Sequence, residues 1–196
     1  MQPMNAGVTK ANTGLDGIVW NILGQTYVPK QLSENSFAWH ATFPPGTFVP
    51  PHIHPTQDEF IYMLEGKMDA VIDGKEFIAT AGDVIKLPMN IPHGLFNKSD
   101  QVIKCFFWVT PTRKLYDLFW AIHSMKEQNP PDVVALSAKY EIMFLPPPEG
   151  TASINRYTKG AAMIAAPFAC RCRDGARSSD CTCRLPDGSA ARHRPP

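Results

Sequence analysis

The sequence lacks any apolar run near the roughly 18 residues that a membrane-spanning helix needs. Its longest are residues 105–109 and the stretch 161–170, which Pro167 interrupts. Residues 1–10 show no charged start followed by an apolar core, so no secretory signal is expected and the cytoplasm is the expected location. No charge of one sign dominates. With 19 Lys and Arg against 18 Asp and Glu, the net charge is +1, which gives no reason to expect a nucleic acid or a membrane surface as partner. No helix-turn-helix pattern appears in the first 35 residues. Cysteine is nearly absent before residue 170. Cys105 stands alone there, so this part of the chain has no disulfide framework, and Cys105, in a strand pattern, reads as a small buried hydrophobe. What the chain has in excess is proline, 19 of 196 residues, about twice the usual share of roughly 5%. That excludes a helix bundle and favours short strands joined by turns. At 44% hydrophobic and 19% charged residues, the chain is globular, with room for one ordinary domain and a tail.

The C-terminal stretch differs from the rest. All 11 lysines lie before Pro167, whereas 6 of the 8 arginines and 4 of the 5 cysteines lie after it. Residues 1–166 carry 13 basic and 15 acidic groups, so the body is slightly acidic and the tail basic. Phe168 and Leu185 are the only large apolar residues of 167–196, too few to bury a core. Its Cys170-x-Cys172 and Cys181-x-Cys183 pairs could hold zinc as thiolates, but zinc ribbons usually space such pairs C-x2-C. The tail is therefore read as a disordered extension, over 149–196, with no function assigned.

In the body, apolar residues recur with the two-residue period of half-buried strands. Residues 36–43 place Phe37, Trp39 and Phe43 on one side. Residues 59–64, 67–72, 75–80, 84–87 and 101–110 follow, with turn residues between them, and Asp73-Gly74 is a hairpin signal. Segments 18–23 and 25–28 add one or two strands within an N-terminal arm, 1–35. This spacing predicts a sandwich or barrel over 36–110. After Pro111 the period becomes helical. Leu115, Leu118, Phe119 and Ile122 mark a helix over 112–126 with Thr112 as its N-cap, and a second helix runs over 132–140. The helical part, 111–148, is expected to pack outside the barrel or cover one mouth.

One cluster carries chemistry. His52 and His54 alternate, so on a strand both imidazoles point to one face. Glu59 follows four residues after His54, and His93 lies in the turn-rich segment 82–97. Imidazoles with a carboxylate suit a divalent transition metal, the imidazoles as neutral ligands and the carboxylate as charge balance or base. His40, on a strand, and His123, on a helix, read as ordinary structural histidines.

These residues fall in two spaced motifs. Gly46, His52, His54, Glu59 and Gly66 fit G-x5-H-x-H-x4-E-x6-G. After a 15-residue spacer, Gly82, Pro88, His93 and Asn97 fit G-x5-P-x-G-x2-H-x3-N, with Asn90 in place of glycine. Asparagine is the best substitute at a left-handed turn position. In both motifs the sequence resembles the cupin family, over about 36–109. The resemblance implies an all-β double-stranded β-helix, a jelly-roll barrel, here with two short C-terminal helices. It also implies four metal ligands, His52, His54, Glu59 and His93, holding one divalent metal per chain. Iron(II) is the first choice, with manganese, nickel or zinc as alternatives. Asn97 is expected to be structural. A second His-x-His set is missing, which argues against a two-barrel arrangement.

The local wording looks most like quercetin dioxygenase-like cupins. The expected function is a metal-dependent dioxygenase acting on a small phenolic or β-dicarbonyl compound. Its partners would be that substrate and O2, with Glu59 as the catalytic base. Phe48, in the segment entering His52, and Phe96, near His93, are the expected substrate contacts. The alternatives are a non-redox isomerase, cyclase or lyase using the same metal, and a non-enzymatic ligand-binding cupin. A homodimer is expected, with Phe119 and Trp120 as candidates for its contacts.

Overall fold

The computed structural model describes residues 5–146 and two short strands beyond them. The chain divides into two units, Met1–Ala162 and Met163–Pro196. In the second, β12 (Cys170–Arg171) pairs antiparallel with β13 (Thr182–Cys183). The expectations of disorder over the rest of 149–196 and of a thiolate zinc site lie outside the described residues.

In the first unit the strands follow the alternating stretches closely. They are β1 (Trp20–Ile22), β2 (Gln25–Leu32), β3 (Phe37–Phe43), β4 (Phe48–Ile53), β5 (Asp58–Glu65), β6 (Lys67–Ile72), β7 (Lys75–Thr80), β8 (Val84–Leu87), β9 (His93–Phe96) and β10 (Ile103–Thr110). Helices α1 (Leu115–His123) and α2 (Pro130–Lys139) come next, then the short β11 (Met143–Phe144). Six strands form one sheet in the order β1-β2-β3-β10-β5-β8, and five form the other in the order β11-β4-β9-β6-β7. This is the jelly-roll arrangement expected, with two helices after it.

Register explains which side chains are inside. Phe107 of β10 lies opposite Trp39 of β3 on one side and Ile61 of β5 on the other. Cys105, two residues away, lies between Ala41 and Met63. All of these are buried, because a period of two returns each of them to the inner face. Glu59 belongs to the same inner row as Ile61 and Met63, so the pleat itself carries a carboxylate into the interior. At the β6–β7 hairpin, Asp73 and Gly74 both have positive φ, 50° and 74°, the backbone that a two-residue turn with right-handed strand twist requires.

The structure corrects the expected boundaries in three places. β9 is a strand within the segment 82–97 that the sequence suggested was turn-rich, and the strand carrying His52, β4, reaches back to Phe48; prolines and glycines mask both patterns. Pro50 and Pro51 have no N–H to give a ladder, and the β4–β9 register shifts between Val49 and His52 at that point, as it does at bulges. Thr112 is not the cap of α1; the residue preceding the helix is Lys114. The Thr112 hydroxyl instead donates to the Ser33 carbonyl, and its N–H donates to Glu34 O at 3.2 Å. α2 begins at Pro130 rather than 132, since proline is accommodated in the first turn of a helix, where its missing N–H is not needed.

α1 turns Leu115, Leu118, Phe119 and Ile122 inward. Phe119 meets Trp20, Tyr27 and Trp39 edge-on at centroid separations of 5.8, 5.1 and 5.1 Å. It is thus committed to this chain's own core. Trp120 remains half-exposed and packs against Trp20.

Candidate metal centre and adjoining cavity

Four buried side chains, His52, His54, Glu59 and His93, bring one ligand atom each to within 4.8 Å of one another. They come from both sheets. His52 on β4 pairs directly with His93 on β9, and Glu59 reaches them from β5. His54 follows the end of β4, where its carbonyl accepts from Asn90 N–H at 3.0 Å. Asn90 has φ 64°, the left-handed conformation anticipated for the residue replacing glycine. The motif's local backbone thus survives the substitution.

The outer nitrogen of each imidazole faces an oxygen. His52 Nδ1 lies 2.8 Å from Pro50 O, His93 Nδ1 lies 2.9 Å from Ile91 O, and His54 Nδ1 lies 3.3 Å from Gln57 Oε1. An oxygen acceptor there calls for Nδ1–H, which leaves the Nε2 lone pair for the interior. The inner atoms are correspondingly crowded. His52 Nε2 and His54 Nε2 are 3.0 Å apart, and His93 Nε2 is 3.1 Å from Glu59 Oε2. His54 Nε2 stands 3.8 Å from the same oxygen. Electron-rich atoms gathered so closely repel unless a cation lies among them. Ligands about 2.1 Å from a metal and at right angles to each other would lie about 3.0 Å apart, which matches the two short separations. The donor set therefore fits a divalent transition metal.

Electrostatics prepare the same set. Burial pushes the His52 pKa well below the ordinary histidine value, with His93 and His54 adding to the effect. Burial also lowers His54, against the opposing pull of Glu59. Burial alone would raise Glu59, but the neighbouring His54 and His93 outweigh it, and its pKa falls below the usual carboxylate value. The result is neutral imidazole at His52 and His54 and a charged carboxylate, the protonation states that metal ligation uses.

A cavity adjoins this cluster, with His52, His54 and Glu59 in its wall. Its volume is about 60 Å³. At roughly 10–15 Å³ as the least that holds one water on this measure, it has room for a few waters. Aromatic side chains Trp39, Phe107, Phe119 and Phe144 line it, and aliphatic residues from β1, β4, β9, α1 and α2 fill in the rest. Beyond the cluster, its polar groups are Gln25 and Tyr27. Tyr27 Oη donates to Gln25 Oε1 at 2.7 Å, and Gln25 Nε2 donates to Phe48 O at 2.9 Å. Burial raises the Tyr27 pKa well above its ordinary value, so the phenol stays protonated. Among the described residues, no lysine or arginine lines the cavity.

All four expected ligands are thus brought together, whereas the two expected substrate contacts are placed elsewhere. Phe48 and Phe96 pair across β4 and β9 and stack at 6.0 Å. Neither is in the cavity wall. Their neighbours Val49 and Leu95 are, one step along each strand and therefore on the opposite face. Asn97 is structural as expected, donating to the carbonyls of Phe43 and Gln101 at 2.9 and 2.8 Å. Cys105 is fully buried, and burial raises its thiol pKa, with Glu59 adding to the shift. Sequence reasoning missed Gln25 and Tyr27, which lie outside both motifs, and Gln57, which sits at an unspecified position within the first. Only the strand pattern of 25–28 hinted at an inward-facing Tyr27.

Comparison with known proteins agrees with this geometry. Residues 39–110 match the family model described as a cupin domain. Polyketide synthase CurC from Streptomyces cyaneus is 29% identical over 77 residues, which are 39% of this chain and 50% of that protein. The chain thus matches about half the length of that curated relative. Among solved structures, an RmlC-like cupin from Shewanella frigidimarina superposes with a TM-score of 0.52 at 18% identity, covering 59% of this chain and 99% of that one. A sugar phosphate isomerase of the cupin superfamily from Silicibacter pomeroyi gives a TM-score of 0.43 at 25% identity, covering 46% and 61%. At such identities the structural likeness is one of fold. Motifs, sheet topology and the family match agree that residues 39–110 form a cupin domain.

Proposed function

We propose that the chain is a metal-dependent dioxygenase acting on a small, uncharged phenol or enolisable β-dicarbonyl compound. The observation that carries this reading is an aromatic cavity without cationic groups that opens onto the His52, His54, Glu59 and His93 cluster. A phosphate or carboxylate group held away from the metal would sit against an apolar wall to which none of the described lysines or arginines contributes, at a cost of several kcal/mol. A flat neutral ring suits the same wall, where Trp39, Phe107 and Phe119 offer faces and edges for aromatic contacts. The name of the curated relative fits this class. Polyketides are built from β-dicarbonyl units, which enolise readily and close to phenols.

When bound, the metal supplies Lewis acidity toward a substrate hydroxyl and, with iron(II), electrons for dioxygen. The chain's residues do the rest. Glu59, charged and buried, accepts the hydroxyl proton at Oε2. Tyr27 and Gln25 offer hydrogen bonds to a second oxygen on the ring. The helices contribute Phe119, Ile122 and Val133 to the cavity wall. In the overall reaction dioxygen is the oxidant, a C–C bond breaks, and one oxygen atom enters each side of the break.

The test is an oxygen-electrode measurement on iron(II)-loaded protein with catechols, monophenols and β-diketones such as acetylacetone. The expected result is consumption of one O2 per substrate, abolished in Glu59→Ala. Conversion that proceeds equally well without oxygen would replace this reading with isomerase, cyclase or lyase chemistry at the same metal. Binding of these compounds without any conversion would favour a ligand-binding cupin.

A further inference from the structure

We propose that Gln57 is a positioning residue that sets the tautomer of His54 and ties the metal centre to the start of the helical cover. The inference rests on the metal reading above but concerns a residue outside the ligand set. Gln57 is buried at 2% exposure, and each of its amide atoms has a partner. Its Nε2 donates to Pro111 O at 2.9 Å and to Thr112 O at 2.7 Å. These two carbonyls fix the amide's orientation, because the flipped amide would set its oxygen against both of them. Oε1 must then face His54, whose Nδ1 lies 3.3 Å away.

The consequence is chemical. His52 and His93 orient their Nδ1–H groups on the carbonyls of Pro50 and Ile91, each two residues before the ring. That is a device of the local backbone. His54 has no such carbonyl and relies on a side chain, which is itself held by the segment between β10 and α1. With Nδ1 committed as donor, His54 presents its Nε2 lone pair to the cluster, the only form in which it can ligate. The same segment continues into α1, so loosening of 111–112 would free the amide and with it the His54 ring. Partners of this kind on metal-ligating histidines typically contribute 10–100-fold to metal affinity.

The experiment uses the full chain with ¹⁵N-histidine label, made metal-free and examined by long-range ¹H–¹⁵N correlation, together with cobalt(II) titrations against a competing chelator. In the metal-free wild type, His54 is expected as the Nδ1–H tautomer. Gln57→Leu removes the acceptor and is expected to lose that preference and to bind cobalt(II) 10–100-fold more weakly. Gln57→Glu, in its protonated form, donates its O–H to the Pro111 or Thr112 carbonyl, keeps an acceptor toward His54, and is expected to retain the tautomer and affinity nearer the wild type. Packing alone would not separate these two variants in that direction. An Nε2–H tautomer in the metal-free wild type would overturn the proposal, whether or not the variants fold. So would unchanged cobalt(II) affinity in a folded Gln57→Leu. The two readings fail separately: a wild type that binds no cobalt(II) refutes the metal reading, while the tautomer measurement needs no metal.

Discussion

If the four clustered side chains are a metal site, the metal must stabilise the fold, and His93→Ala must abolish that stabilisation specifically. A ligand that binds only the folded state stabilises by RT ln(1 + [L]/Kd), or about 2.7 kcal/mol at a free metal concentration of 100 Kd. For a domain of this size roughly 3 °C of melting temperature corresponds to 1 kcal/mol, so adding metal should raise Tm by about 8 °C. His93 contributes an Nε2 that lies 3.1 Å from Glu59 Oε2 and a ring 4.3 Å from that of His52, at the centre of the set. Suppose its loss weakens metal binding 100-fold. At the same free metal the stabilisation falls to RT ln 2, about 0.4 kcal/mol, or roughly 1 °C. The readout is the difference between metal-loaded and chelated samples of each protein, because the substitution also alters the metal-free state by leaving Glu59 with one fewer partner. Differential scanning fluorimetry at controlled free iron(II) or cobalt(II) measures both. A His93→Ala protein that keeps the full metal-dependent rise would refute the ligand assignment.

Two further outcomes follow from the same structure. Phe119→Ala removes a ring packed edge-on against Trp20, Tyr27 and Trp39 and should cost about 3–5 kcal/mol in urea denaturation; a loss below about 1 kcal/mol would mean that α1 does not seal the barrel. Glu141 accepts from Lys114 and from Thr56, at 3.0 and 2.9 Å, and its pKa is lowered chiefly by Lys114. A lowered carboxylate pKa gives stability that is present above the unfolded value and is lost as pH falls through the folded one. Solvent screens this half-exposed pair, so the term is only about 0.5 kcal/mol. Glu141→Gln should remove that increment of acid sensitivity below about pH 4.5, and identical pH–stability curves for the two proteins would count against the contact.

The fold was legible wherever a strand has one wet face and one dry. β10 alternates along its whole length, and β3 does so from Trp39 on, because their outer faces are only partly buried, and the Asp73-Gly74 turn has a conformation that few other residue pairs adopt. Legibility failed at β4 and β9, which carry Pro50, Pro51 and Gly94. There, sheet formation depends on partners distant in sequence, above all the pairing of His52 with His93, and local propensity points the other way. The ends of the helices were misjudged for a related reason. Thr112 is an apt cap by its chemistry, but residues 33–34, nearly eighty positions earlier, claim its hydroxyl and its N–H.

The candidate metal centre and the cavity differ in how much a single sequence can disclose, and the difference has a physical origin. Ligand positions are fixed by short-range rules. Alternation turns His52 and His54 to one side, a left-handed residue at 90 shapes the approach to His93, and the pleat turns Glu59 inward. Local spacing therefore carries that information. The cavity wall is assembled from β1, β2, β4, α1, α2 and β11 as well as the central strands, and no local rule relates these segments. Phe48 and Phe96 illustrate the consequence. They adjoin ligand-bearing segments in sequence, yet one step along the strand sends their rings to the opposite face, and Val49 and Leu95 take the inner positions. Tyr27 and Gln25 come from the N-terminal arm and are the cavity's polar groups beyond the cluster. Proteins sharing the two motifs can thus share a ligand cluster while differing in every residue of the cavity wall, so the proposed substrate class has to be tested at Tyr27, Gln25 and Phe119 rather than at the histidines.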